Sequence, residues 1–226
     1  MAETSFDYSN LSGRPTGPVV GLAARLLRGV RDVQRQVVPY ARAWEAHNRA
    51  ALAQDGPLWV VLGDSMSQGI GASAFDRGWV GVLAGSLPDH RLVNLSVNGG
   101  RLTDLLERQI PAMDALGADP DLVTVMIGSN DLIQRGLRDE APRRLAEVLR
   151  RLPDGAVVAT QPGRRAGAST FNGLLEQAAA GGRIRLAEFR DPRMASWRGR
   201  LSADHFHPND AGYAAMAEIM REAVTP

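Results

Sequence analysis

Four stretches of the chain gather serine, asparagine, histidine and aspartate among glycines, and each suggests a chemical task. The first is Gly63-Asp64-Ser65-Met66-Ser67-Gln68-Gly69-Ile70-Gly71. A free serine hydroxyl is a weak nucleophile and needs a general base beside it; Gly-Asp-Ser also makes an ordinary turn. A base is on offer in Asp204-His205-Phe206-His207-Pro208-Asn209-Asp210. Histidine titrates near neutrality, and a carboxylate can fix its tautomer and stabilise the imidazolium. The Asp-x-x-His spacing lets one turn hold Asp204 and His207, whereas His205 is adjacent to Asp204 and ill placed to face it. Proline after the histidine suits entry into a helix, with Asn209 or Asp210 as its cap. Asp204, His205 and His207 also read as a metal chelate, but no further ligand cluster accompanies them.

The other two stretches offer donors for a negatively charged oxygen. In Asn94-Leu95-Ser96-Val97-Asn98-Gly99-Gly100, a glycine lets a backbone N–H approach a substrate atom with no side chain in the way. Gly99 and Gly100 compete for that task, and a tight strand-to-helix turn accounts for both equally well. In Ile127-Gly128-Ser129-Asn130-Asp131, the Asn130 amide can donate to a developing oxyanion, a contribution worth about 3 kcal/mol. Ser129, Asn130 or Asp131 can equally cap the helix that follows.

These side chains need a scaffold, and the apolar pattern supplies one. Short runs at 58–62 (LWVVL), 91–95 (RLVNL), 121–127 (DLVTVMI), 156–160 (AVVAT) and 184–189 (IRLAEF) read as strands. Helix-like stretches lie near 78–87, 101–116, 139–151, 169–180 and 210–223. Such alternation predicts an α/β fold: a parallel, doubly wound sheet of about five strands with helices on both faces. Functional groups collect on loops leaving the carboxyl ends of such strands. Three of the clusters follow a predicted strand, and the fourth precedes the last helix.

Ahead of this pattern, residues 1–17 have little periodicity and read as a flexible lead-in. Leu22, Leu26, Val30, Val33 and Val37 then recur at helical spacing over 18–38, with Arg25, Arg28, Arg31 and Arg35 on the opposite side. Pro39 is expected to kink or end this helix, and residues 40–54 look like a second one. The expected organisation is an extension over 1–57 and a catalytic-type domain over 58–226. A stripe with arginines behind it suits a membrane surface, or it packs on the body of the protein or on a second copy.

Bulk composition narrows the options. The 226 residues suit one α/β domain with an appendage, and 44% hydrophobic against 23% charged residues is a globular balance. A net charge of +1 gives no reason to expect nucleic acid as a partner. There are no cysteines, which removes disulfides, thiol catalysis and thiolate metal sites. The N-terminus lacks the basic and apolar regions of a secretory signal, and no apolar run approaches the ~20 residues of a membrane span. A cytoplasmic location is the expectation.

Taken in order, GDS at 63–65, NLSVNG at 94–99, GSND at 128–131 and DHFHPN at 204–209 resemble the four blocks of the SGNH hydrolases, also called GDSL esterases/lipases. The resemblance runs from about Leu58 to the C-terminus. It implies a flavodoxin-like three-layer α/β/α fold, with Ser65 as nucleophile, His207 as base and Asp204 as its orienting partner. It implies an oxyanion hole of the Ser65 N–H, Gly99 and Asn130, a small-molecule ester as substrate, and no metal or organic cofactor. The G-x-S-x-G elbow of α/β-hydrolases is absent. The same residue set would serve transfer of the acyl group to a sugar or alcohol, and a binding module that kept the fold is the non-catalytic alternative. Nothing in the resemblance covers the first 57 residues. Arg164, Arg165, Trp197 and Phe206 are candidates to border the substrate.

Overall fold

The computed structural model describes residues 6–15, 17–163 and 165–225. Each apolar run forms a strand: β1 (Leu58–Gly63), β2 (Arg91–Asn94), β3 (Leu122–Met126), β4 (Ala156–Ala159) and β5 (Ile184–Ala187). They pair in parallel throughout, in the order β2-β1-β3-β4-β5. β1, β3 and β4 are buried along their whole length, which is why they read as unbroken apolar runs.

Successive strand side chains point to opposite faces, so β1 divides itself between two cores. Leu58, Val60 and Leu62 enter one; Trp59 and Val61 enter the other. Among the described residues, ten helices fill in around them: α1 (Pro18–Leu26), α2 (Arg28–Gln34), α3 (Val37–Leu52), α4 (Trp79–Ala84), α5 (Leu102–Asp104), α6 (Ile110–Asp114), α7 (Ser129–Ile133), α8 (Arg135–Arg151), α9 (Ala168–Ala180) and α10 (Asp210–Val224). A π-type turn, Leu105–Gln109, joins α5 to α6. The first core takes Leu102, Ile110, Leu145 and Phe171 from α5, α6, α8 and α9. The second takes Trp44 of α3, Trp79 and Leu83 of α4, and Tyr213 and Met216 of α10. The result is the expected three-layer α/β/α arrangement.

The chain leaves β1 for β2 on one side and returns to β3 on the other. Loops leaving β1 and β3 therefore diverge, and a crevice opens over their carboxyl ends.

The N-terminal part departs from expectation. The single helix expected over 18–38 is two, broken at Leu27, whose backbone is extended (φ −114°, ψ 115°). Close packing accompanies the break: a Cβ on Gly29 would overlap the backbone of Ala203, so α2 rests directly on that turn. The apolar stripe is divided accordingly. Val33 is buried, while Leu22 and Leu26 are 58% and 74% exposed. Pro39 neither kinks nor ends a helix; it sits in the first turn of α3, where a missing N–H costs no hydrogen bond. α8 begins at Arg135 and not near 139, because its charged first turn carries no apolar periodicity.

Residues 6–14 were expected to be a flexible lead-in, yet they lie against the body. Asn10 is fully buried, and Arg108 donates to the carbonyls of Ser9, Leu11 and Ser12. Residues 1–5 and 16 of that lead-in lie outside the described residues. No described helix is long and apolar enough to cross a membrane.

Candidate active site

The chain turns sharply at the end of β1, and glycine permits it. A Cβ on Gly63 would overlap the Ser67 hydroxyl and stand 2.6 Å from the Met126 carbonyl. The Gly63 peptide groups are held by one side chain: Gln109 Oε1 accepts the Gly63 N–H at 2.8 Å, and its Nε2 donates to the Gly63 carbonyl at 2.9 Å. Asp64 then accepts from the Met66 N–H (3.0 Å) and the Ser129 hydroxyl (3.0 Å), tying the loop after β1 to the loop after β3. Burial pushes the Asp64 carboxyl up, against the lowering effect of those hydrogen bonds. Between these anchors Ser65 is 5% exposed.

The histidine cluster forms a turn closed on itself. Ser202 N–H donates to the His207 carbonyl at 2.8 Å, and Asn209 caps α10 by accepting from the Gly212 N–H at 3.1 Å. Inside it, Asp204 Oδ1 accepts from the Ser202 hydroxyl (2.9 Å) and from the N–H groups of Phe206 and His207 (3.0 Å each). Its Oδ2 lies 2.6 Å from His207 Nδ1. Burial alone pushes Asp204 up, but the His207 ring and those donors outweigh it and hold the carboxyl well below the usual range. The other ring nitrogen, His207 Nε2, is 3.0 Å from Ser65 Oγ, across 142 residues of sequence.

His205 does not share this geometry. It is exposed, with φ +55°, at the outer corner of the turn. Both ring nitrogens of His207 are already engaged, and among the described residues no three His, Asp or Glu side chains converge as a metal site.

The glycine cluster separates its two candidates. The Gly100 N–H is spent on the Val97 carbonyl at 2.9 Å, and a Cβ on Gly100 would stand 2.8 Å from the Gly63 carbonyl, so Gly100 closes the turn. Gly99 sits at φ +66° with open space around its α-carbon, and its N–H meets no acceptor among the described residues. The Ser65 N–H is likewise without an acceptor among them. Asn130 Nδ2 lies 2.9 Å from the Gly100 carbonyl and 3.4 Å from Asp64 Oδ2, which brings its amide between the two loops. Asp131 caps a different helix from the one expected. From within α7 its carboxylate accepts from the Leu102 N–H (3.1 Å) at the start of α5. Burial pushes its carboxyl up to about 6.

Beside Ser65 a cavity of about 860 Å³ extends over the carboxyl ends of β3, β4 and β5. Met66, Met126, Phe189, Met194, Trp197 and Met216 give it an apolar wall, and Arg165 and Phe206 border it with the guanidinium 6.0 Å from the ring centre. Arg164 lies outside the described residues.

Several residues that hold the site gave no motif. Gln109 had a readable signal: Leu102, Leu105, Gln109 and Met113 share one helical face, and an amide on an apolar face implies a buried hydrogen-bonding task. Asn10 and Arg14 had none, because what they grip, the carbonyls of Asn94, Ser96 and Gly99 and the Asp104 carboxylate, lies far away in sequence.

Residues 61–215 match the model of the GDSL-like Lipase/Acylhydrolase family. A GDSL-like esterase of Mycobacterium tuberculosis is 28% identical over 195 residues, covering 74% of this chain and 62% of that protein. The chain thus spans less than two thirds of the length of this curated relative. Among solved structures, TesA superposes with a TM-score of 0.62 at 25% identity, covering 75% of this chain and 98% of TesA. An acetylxylan esterase mutant from Geobacillus stearothermophilus has the same fold, with a TM-score of 0.58 at 21% identity over 76% of this chain and 96% of its own.

Proposed function

This chain belongs to the GDSL-like lipase/acylhydrolase family, and from that premise we propose that it is a serine esterase working through an acyl-enzyme on Ser65. The observation that carries the reading is the pair of short separations at His207: 3.0 Å from Nε2 to Ser65 Oγ and 2.6 Å from Nδ1 to Asp204. Asp204 keeps the Nδ1 proton in place, so Nε2 faces the serine as an acceptor. His207 takes the Ser65 proton as Oγ attacks the ester carbonyl, and the carbonyl oxygen becomes an oxyanion. The N–H groups of Ser65 and Gly99 and the Asn130 amide are its donors, a preorganised set that gains strength in a water-poor site. His207 then protonates the departing alcohol. Water repeats the sequence on the acyl-enzyme and frees the acid.

Two further assignments belong to this reading. Residues 58–226 are the hydrolase domain, with residues 1–57 an addition to it. The methionine-rich cavity beside Ser65 receives the acyl part of the substrate, since apolar, polarisable walls suit a flexible alkyl chain better than a sugar.

A fluorophosphonate probe tests the nucleophile directly. Labelling should map to Ser65, and Ser65→Ala should abolish both labelling and turnover of an aryl ester, with kcat falling by about five to six orders of magnitude. Near-normal activity in that variant ends the assignment.

A further inference from the structure

The loop that carries Gly99 is held from outside by the N-terminal strap, residues 6–14, and by polar contacts. The Tyr8 hydroxyl donates to the Leu95 carbonyl. Asn10 Nδ2 donates to the carbonyls of Asn94 and Ser96 at 2.8 Å each, and Gln68 Nε2 bridges the Asn10 and Ser96 carbonyls at 2.7 and 3.0 Å. Arg14 completes the series. Its guanidinium makes a two-pronged contact with Asp104 (2.7 and 2.8 Å), and Nη2 also donates to the Gly99 carbonyl at 2.8 Å. Asp104 is itself fixed, since it accepts the Arg101 N–H at 2.8 Å and its side chain is 4% exposed.

Gly99 needs such a hold. It has no side chain, nothing stands within 4 Å of where a Cβ would be, and another glycine follows it. Sterics therefore leave its two peptide groups free to rotate. The peptide after it is clamped at both ends, by the Gly100 N–H on Val97 and by Arg14 on the Gly99 carbonyl. Fixing that peptide fixes ψ at Gly99, and with φ at +66° it sets where the Gly99 N–H aims.

We infer that Arg14 is a positioning residue of the oxyanion hole: its fork ties the buried Asp104 to the Gly99 carbonyl and so holds the Gly99 N–H toward the carbonyl oxygen at Ser65. This rests on the esterase reading, in which that N–H is an oxyanion donor. Lysine cannot reproduce the contact, because an ammonium is a point charge and not a planar fork. The oxyanion exists only on the way through the reaction, so a misaimed donor lowers kcat and leaves ground-state binding alone.

The test is Arg14→Lys in the full chain. It retains a cation for Asp104, and kcat for an aryl ester should fall about tenfold, less than the ~100-fold or more of losing an oxyanion donor outright. KM and Tm should stay near wild type. Arg14→Ala should lose more kcat and regain part of it in millimolar guanidinium, as the small cation refills the fork's position; a variant damaged only in its packing gains nothing. Unchanged kcat in Arg14→Lys, a rise in KM alone, or no guanidinium rescue overturns the inference. Each of those outcomes leaves wild-type hydrolysis and Ser65 labelling intact, whereas a wild-type protein that neither hydrolyses esters nor labels at Ser65 sinks the esterase reading itself.

Discussion

Two aspartates of the loops around Ser65, Asp204 and Asp131, are driven apart by their surroundings. Asp204 is held low by His207 and the donors of its turn, so it contributes stability at neutral pH that is lost as pH falls through its folded value. Asp131 goes the other way, pushed up to about 6 by burial. Below about pH 4 it is protonated both folded and unfolded. As pH climbs from about 4 to 6 the unfolded chain gives up the proton while the fold keeps it. Stability therefore falls across that window, by up to about 3 kcal/mol, and levels off above it. Asp131→Asn keeps an oxygen for the Leu102 N–H and never ionises. Its Tm should decline less between pH 4 and 6 than that of wild type; parallel curves for the two proteins refute the assignment. Asp204→Asn bears on chemistry instead. The amide can stabilise the wrong tautomer of His207, and kcat should drop by about 10⁴-fold with the fold retained, as circular dichroism would record.

At the scale of elements, the loops do the work and the strands set their spacing. The loop after β1 passes under the histidine turn at Gly71, where φ is +98° and a Cβ would stand 2.5 Å from the Pro208 carbonyl and 2.7 Å from His207 Cβ. Gly71→Ala must move one of the two. It should cost about 1–3 kcal/mol in stability and lower kcat further than stability alone explains, measured by urea unfolding beside ester kinetics. A variant as stable and as active as wild type would show that the approach is looser than described. Much of this level was legible beforehand: the buried strands β1, β3 and β4 are mostly apolar runs, and each cluster sits where a strand ends or the last helix starts. The break at Leu27 and the seat of Pro39 were not, because helical spacing continues through both. Nor were the grips of Asn10 and Arg14, since a side chain bound to groups distant in sequence leaves no period in it.

Across the whole molecule, the N-terminal segments reach three loops of the site. The strap holds the Gly99 loop, α2 rests on the turn before His207, and Gln36 together with Tyr40 and Trp44 of α3 holds the Ser65 loop. Trp44 is 1% exposed, and the loss of such a side chain costs about 3–5 kcal/mol. A chain beginning at Leu58 should therefore lose the sharp thermal transition of the full chain; calorimetry showing an intact one would contradict this. Substrate choice belongs to this scale too, because the cavity wall comes from five segments remote in sequence. Lengthening the acyl group from acetyl should raise kcat/KM about fourfold per methylene until the cavity is filled. A flat series would move the alkyl chain elsewhere.

Among the described residues, His207 comes after all five strands and just before α10. During synthesis the sheet can therefore assemble, with Ser65 already at its rim, while the imidazole has yet to be made. Under the proposed mechanism Ser65 has no base until His207 has been made, so a polypeptide that stops short of it cannot attack esters.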